Sequence, residues 1–398
     1  MRFAIPALLA TAALASAQVA VRAEKLYTMA GAPITNGVVL MRDGKIERVG
    51  PASQVTIPSG YRTLTAKLAT PGLVDAHSTV GLSGYLNIPQ DQDQVERSSP
   101  MQPELRAVDA YNPREPLIEY LRSYGVTTVH TGHGPGILMS GQTMIVKLTG
   151  ATADEAAIVP LAMVAVTLGE GAREAGGKSP GSRSKAVAML RSELIKAQEY
   201  ARKAEKKDAT ATRDLHLEML ARVTKGEIPM LISVNRANDI VTAIRLGKEF
   251  NLKVILEGAA EAYLVLDQIK ASGYPVIVHP TMEHGGGEIE NLSFETASKL
   301  RAAGIPYALQ SGFEGYVPKN RVILFEAGMV AANGLSFDDA LASITINAAR
   351  MIGLEKRVGS LEAGKDGDVA LYDGDPFEYT THCIGVVLNG KVVSEVKR

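Results

Sequence analysis

Alternating apolar and polar positions at both ends of the chain predict short antiparallel strands. Near the N-terminus, the apolar run at residues 38–41 is followed by Asp43 and Gly44 and then by a second alternating run at residues 45–49. An Asp-Gly dipeptide between two such runs favours the tight type I′ turn of a hairpin. Asn389 and Gly390 lie between similar runs near the C-terminus. The two ends are therefore both expected to be all-β.

Between the two ends, apolar strand-like runs alternate with amphipathic helical stretches. The clearest strands are predicted at residues 73–77, 126–130, 230–235, 254–257, 276–279 and 307–310. Such repetition is typical of parallel βα units, and eight of them close into a barrel whose active site lies where the strands end. An open, doubly wound sheet is the alternative, but it leaves the two β ends unexplained.

The pattern therefore predicts an α/β protein, a TIM-type (β/α)8 barrel with a small β-sandwich formed by both termini. Residues 69–357 are assigned to the barrel. Residues 18–68 and 358–398 are assigned to the first and second parts of the sandwich.

The first 17 residues have the features of a secretory signal peptide. Arg2 supplies the positive charge, residues 5–14 form an apolar stretch too short to span a bilayer comfortably, and residues 15–17 (Ala-Ser-Ala) form a small-residue cleavage site before Gln18. A buried first helix is the alternative. Cleavage predicts a periplasmic or secreted protein, and no later segment is apolar enough to predict a membrane span in the mature chain.

Composition narrows the expected partners. The 398 residues carry a formal net charge of -1, so nothing indicates nucleic acid or an anionic membrane surface as a partner. A small-molecule substrate or ligand, or another protein, fits better. Cys383 is the only cysteine, which excludes an intrachain disulfide in an oxidising compartment.

Four segments carry a resemblance to known proteins: residues 70–77 (T-P-G-L-V-D-A-H), 236–240, 344–349 and 359–368 (G-S-L-E-A-G-K-D-G-D). They resemble the amidohydrolase superfamily, specifically its imidazolonepropionase-like branch. The resemblance implies hydrolysis of amide or other C–N bonds by one or two divalent metals that activate a bound water. It also implies a His-x-His pair on the first strand, histidines on the fifth and sixth, and an aspartate on the eighth.

Most of those ligand positions hold other residues in this chain. The first histidine is retained as His77, but the remaining positions are occupied by Thr79, Ser233, Asn235, Gly258 and Gly312, or by Ser311 if the alignment shifts by one residue. A family-type binuclear site is therefore not expected.

A rearranged site is one hypothesis. His77, His130 and His279 each end a predicted strand, as Glu257 does, so all four are expected at the mouth of the barrel. They are the candidate catalytic residues, and the three histidines are the candidate metal ligands. Zinc or a similar divalent metal would be mononuclear at most, and metal-free acid–base chemistry is the alternative. Equally, a histidine at a strand end often only hydrogen-bonds a loop carbonyl.

Two functions remain open from the sequence. The first is an exported hydrolase of C–N bonds that works through the rearranged histidines. The second is a catalytically silent barrel that binds a ligand, forms a homo-oligomer or pairs with an active relative. An enzyme must place a base and an electrophile near a common point in the pocket, whereas a partner subunit needs an extended apolar surface.

Overall fold

The computed structural model describes residues 18–86, 88–174, 176, 178–206, 212–281, 285–312 and 323–398. The predicted signal peptide lies outside the described residues. None of the described helices combines the length and the apolar character needed to cross a bilayer.

The described residues form sixteen strands. These are β1 Val19–Leu26, β2 Ile34–Arg42, β3 Lys45–Pro51, β4 Arg62–Pro71, β5 Leu73–Ser78, β6 Val126–Gly132, β7 Met139–Lys147, β8 Ala157–Val159, β9 Val164–Thr167, β10 Met230–Val234, β11 Val254–Gly258, β12 Val276–Val278, β13 Tyr307–Leu309, β14 Val369–Tyr372, β15 Cys383–Leu388 and β16 Lys391–Ser394.

Eleven α-helices occur in the same residues. These are α1 Ala107–Ala110, α2 Pro116–Ser123, α3 Ala153–Ala156, α4 Arg183–Glu205, α5 Leu215–Thr224, α6 Ala237–Glu249, α7 Leu266–Ser272, α8 Thr296–Ala303, α9 Ile323–Ala332, α10 Phe337–Ser343 and α11 Ile346–Met351. Short 3₁₀ turns lie at Pro89–Asp91, Glu170–Ala172, Ala262–Leu264 and Gly287–Ile289.

Both ends of the chain contribute to one seven-stranded sheet. Its strand order is β16-β15-β14-β4-β1-β2-β3, so β14 from the C-terminal part pairs antiparallel with β4 from the N-terminal part. The Asp43–Gly44 and Asn389–Gly390 turns link β2 to β3 and β15 to β16, as their sequences predict. The joint sheet is thus observed, while its description as a two-layered sandwich stays a prediction.

The middle of the chain forms a second sheet that is almost a closed barrel. Eight strands follow one another in the order β13-β12-β11-β10-β9-β7-β6-β5, and a bridge between Ser78 and Gly312 brings the two edges together. Strands β9 to β13 pair in parallel, so their C-terminal ends meet at one mouth.

One strand corrects the predicted all-parallel (β/α)8 pattern. Strand β7 runs antiparallel to both β6 and β9. Only residues 133–138 separate β6 from β7, and a parallel return would need a crossover of a dozen or more residues. The chain therefore turns back as a hairpin at this point.

Side-chain alternation along the parallel strands decides what faces the barrel interior. Leu231 of β10, Ile255 of β11 and Ile277 of β12 pack together in one cluster, whereas their neighbours Met230 and Ile232 belong to the cluster that contacts the helices. Because successive strand residues point to opposite faces, the residues two positions further along each strand also point inward. Polar residues occupy those positions.

A buried ion cluster joins the barrel to the terminal sheet. Lys147, the last residue of β7, is 2% exposed and forms ion pairs with Asp366 and Asp368, the former at 3.1 Å. Asp368 directly precedes β14. The re-entry segment that resembles the family is therefore held to the barrel by charge.

Candidate functional site

A cavity of about 240 Å³ opens at the C-terminal ends of the barrel strands. Its polar lining includes His77, Ser233, Asn235, Glu257, His279 and Gln310. A larger cavity of about 780 Å³ lies against the terminal sheet, and its lining is rich in aromatic side chains such as Phe325, Tyr372 and Phe377. The smaller cavity contains the sequence-predicted residues and is the candidate site.

The period-two pattern of the strands brings these side chains to the mouth. Ser233 follows Leu231 by two residues, Glu257 follows Ile255, and His279 follows Ile277. Each apolar residue fills the barrel interior, so the polar residue two positions later points into the same interior near its open end. The strand ends predicted from sequence therefore lie on the face where barrel enzymes bind their substrates.

His77 and Glu257 form the central pair of the site. The Nδ1 atom of His77 donates a hydrogen bond to Oε1 of Glu257, and the hydroxyl of Ser233 donates to Oε2 of the same carboxylate. Both His77 and Glu257 are almost fully buried. The second nitrogen of His77, Nε2, is buried without a hydrogen-bond partner among the described residues.

The charge on Glu257 is maintained by its partners. Burial alone would raise the pKa of this carboxyl, but the neighbouring His77 imidazole and the hydrogen bonds from His77 and Ser233 lower the pKa of Glu257 to about 2. The carboxylate is therefore ionised at neutral pH. An ionised acceptor on Nδ1 keeps the proton on that nitrogen and leaves Nε2 as the basic atom.

His130 lies against His77 but uses both of its nitrogens internally. The two rings are 5.0 Å apart at their centroids. Nδ1 of His130 bonds to the carbonyl oxygen of Ala76 at 2.7 Å, and Nε2 bonds to the hydroxyl of Thr143 at 2.6 Å. Burial, with a contribution from His77, lowers the pKa of His130 to about 3. This histidine is a neutral structural residue behind the pocket, because neither nitrogen is available to a metal or a substrate.

His279 lines the cavity and has a carboxylate behind it. Its Nδ1 atom lies 3.2 Å from the carbonyl oxygen of Gln310 and 3.7 Å from Oε1 of Glu326. Glu326 is fully buried in α9 and accepts a hydrogen bond from the backbone N–H of Thr281 at 2.8 Å. Glu326 was not among the site residues predicted from the sequence. It lies in an apolar helical stretch 47 positions beyond His279 in the numbering, and only the tertiary fold brings the two together.

Asp75 and Ser311 close the barrel beneath the pocket. Oδ1 of Asp75 accepts the backbone N–H of Ser311 at 3.0 Å and that of His77 at 3.3 Å, and the Ser311 hydroxyl donates to Oδ2. Burial raises the pKa of Asp75 to about 7. The pair connects β5 to the segment after β13.

The residues present do not fit the divalent metal that the fold family implies. In the part of the chain that the structure describes, no group of three or more His, Cys, Asp or Glu side chains is arranged to hold a metal ion. Among the described residues, His77 has one ring nitrogen without a hydrogen bond, which could bind a metal, and His130 has none. Gly258 and Gly312 have no side chain. The three-histidine metal set expected from sequence is therefore not assembled, since a typical catalytic zinc needs three protein ligands.

Comparison with known proteins gives a consistent picture. A sequence model of the amidohydrolase family matches residues 306–394. An imidazolonepropionase of Symbiobacterium thermophilum is 25% identical over 419 residues, covering 94% of this chain and 95% of the relative. An amidohydrolase of Hapsidospora irregularis is 24% identical over 401 residues, which are 89% of this chain but 39% of that longer protein. A solved amidohydrolase structure from Thermotoga maritima superimposes with a TM-score of 0.89 at 28% identity, covering 95% of this chain and 100% of that one.

Proposed function

Starting from a chain that belongs to the amidohydrolase superfamily, in its imidazolonepropionase-like branch, we propose an exported hydrolase of C–N bonds in small amides. The usual binuclear metal centre is lost in this proposal, and the histidines at the barrel mouth perform the chemistry. The cavity of about 240 Å³ suits a small linear or cyclic amide.

One observation carries the proposal: a buried imidazole whose Nδ1 is held by an ionised carboxylate and whose Nε2 has no partner among the described residues. A buried polar atom without a hydrogen bond costs free energy, so its presence in a cavity supports a site built for a ligand or for water. A general base has this arrangement: a carboxylate holds one nitrogen of an imidazole, and the other nitrogen is available to accept a proton from the reactant.

The proposed reaction uses groups of this chain only. Nε2 of His77 takes a proton from water while the water oxygen attacks the amide carbon. Glu257 stabilises the imidazolium that forms, and Ser233 holds Glu257 in place. The C–N bond then breaks, and the leaving nitrogen takes the proton from the His77 imidazolium, which restores the free base. His279 lines the same cavity beside the reacting groups. The products are a carboxylic acid and an amine, or one ring-opened molecule from a cyclic amide.

Hydrolysis can be tested on a panel of cyclic and linear amides, ureides and N-acyl amino acids, with release of amine or carboxylate as the readout. We expect His77→Ala to abolish turnover and Glu257→Gln to reduce it by about 10²-fold or more, because general-base catalysis contributes about 10²–10⁴-fold. His382→Ala is the matched control, since His382 is partly exposed beside the terminal sheet and should leave turnover unchanged.

Two results would contradict the proposal. Turnover that survives His77→Ala would remove His77 as the base. A wild-type protein without activity on the whole panel, isolated as a stable complex with an active relative, would instead favour the catalytically silent partner.

Export is proposed from the N-terminal sequence alone. We expect the chain in the periplasmic or secreted fraction, with a mature N-terminus at Gln18 when the purified protein is analysed by mass spectrometry. A cytoplasmic protein that retains its first residues would contradict this part of the proposal without affecting the proposed reaction.

A further inference from the structure

Two glycines at the barrel mouth lie against side chains from neighbouring strands. A Cβ atom added to Gly312 would lie 2.5 Å from Nε2 of His279, and one added to Gly258 would lie 2.7 Å from Oδ1 of Asn235. Non-bonded heavy atoms do not approach so closely in folded proteins, whose interiors are already close-packed. A side chain at 258 or 312 would therefore have to displace the Asn235 amide or the His279 ring.

The backbone conformation at both positions also disfavours a side chain. Gly258 has a φ angle of +78° and Gly312 one of +67°, in the left-handed region that favours glycine. The His279 ring is held in its position, since Nδ1 is 3.2 Å from the carbonyl oxygen of Gln310. A larger residue at 312 would have to move this ring as well as adopt a strained backbone.

We propose that the pocket is closed to a family-type metal centre by its own packing, with Asn235 and His279 occupying the volume of two ligand side chains. At positions 258 and 312, the absence of a side chain is thus matched by a neighbouring side chain that lies against the glycine. The inference goes beyond the proposed hydrolysis, since it would hold equally for a silent barrel.

The first test measures metal directly in the purified wild-type chain. After incubation with Zn²⁺ or Mn²⁺ and gel filtration, elemental analysis should find far less than one metal per chain. Stoichiometric metal in the wild type that is lost in His77→Ala would overturn the proposal. This readout does not depend on activity, so failure here is distinct from failure of the proposed hydrolysis.

The second test attempts to restore the ligands. Gly312→Asp and Gly258→His should not bind stoichiometric metal, alone or combined, because each new side chain would have to displace His279 or Asn235 and adopt a left-handed backbone. Stoichiometric metal in either variant, at wild-type thermal stability, would contradict the packing argument.

A third test isolates the steric contact from backbone strain. Gly304 has a φ angle of +71°, close to that of Gly312, but nothing lies within 4 Å of a Cβ added there. Gly304→Ala therefore measures the cost of the left-handed backbone alone, and Gly312→Ala should melt at a lower temperature than this control. In a His279→Ala background the extra loss should largely disappear, since contacting residues behave non-additively. Equal melting temperatures for Gly304→Ala and Gly312→Ala would show that no close contact exists.

Discussion

At the scale of single residues, function at this mouth depends on which imidazole nitrogens are free. His77 and His130 are in contact and both almost fully buried, yet only His77 keeps an unpartnered nitrogen. Nε2 of His130 is hydrogen-bonded to the Thr143 hydroxyl, and its Nδ1 is hydrogen-bonded to the carbonyl oxygen of Ala76. Two histidines that look equivalent in sequence thus have opposite roles, one a candidate base and the other part of the packing.

His130 should make the protein sensitive to acid. In the unfolded chain the imidazole binds a proton below about pH 6.5, whereas burial lowers the pKa of the folded-state His130 to about 3. The folded state therefore binds fewer protons between these values, and its stability should fall as the pH is lowered from 6.5 towards 3. Urea unfolding at several pH values should show that the unfolding free energy falls less on acidification in His130→Asn than in wild type. An identical pH dependence in the two proteins would contradict this account.

The sequence predicted the placement of site residues better than their bonding. Their positions at the ends of predicted strands were sufficient to place His77, Glu257 and His279 at one mouth, because parallel barrel strands all end on the same face. The role of His130 could not be read, since it depends on Thr143 from the antiparallel strand β7. Glu326 was missed because a buried carboxylate in an apolar helix shows its partner only after tertiary packing.

At the scale of elements, strand β7 departs most from a simple repeat. Its reversed direction places Lys147 at the end of the barrel opposite to the site, beside the start of β6. There the ammonium group meets two carboxylates of the segment that leads into β14. A lysine in a half-exposed strand would normally extend to solvent, but here it is covered by the terminal sheet.

Removing Lys147 should destabilise the protein strongly. Lys147→Met leaves Asp366 and Asp368 buried near each other without their shared cation, which should cost about 3–5 kcal/mol of unfolding free energy. Lys45→Met is the control. Lys45 pairs with the same Asp366, but its side chain is 53% exposed, so its loss should cost about 1 kcal/mol or less. Similar losses of unfolding free energy in both variants, measured by denaturant titration, would argue against a stabilising role for the buried Lys147 ion pairs.

The contact between β5 and the segment after β13 should depend on the hydroxyl of Ser311. Ser311→Ala removes a hydrogen bond to the buried Asp75 and should cost about 1–3 kcal/mol. Ser140→Ala is a matched control, because its hydroxyl is equally buried but has no hydrogen-bond partner among the described residues. In calorimetry, Ser311→Ala should melt at a clearly lower temperature than Ser140→Ala. The reverse order would show that the hydrogen bond between Asp75 and Ser311 does not hold the two barrel edges together.

At the scale of the whole molecule, the barrel and the terminal sheet should unfold together. They share the buried Lys147 cluster, and β4 continues almost directly into β5. We therefore expect one calorimetric transition for the wild type rather than two. Two resolved transitions would show that the sheet is an independent unit, and Lys147→Met is the variant in which they should first separate.

The pairing of β4 with β14 also sets the order in which the chain can finish folding. About three hundred residues separate the two strands, so β14, β15 and β16 cannot join the sheet beside β4 until nearly the whole polypeptide has been synthesised. Contacts between such distant segments slow folding, because a long loop must close before they form. A nascent chain of this topology cannot complete its structure early. If the chain is exported unfolded, as proposed, that delay would keep it competent for translocation.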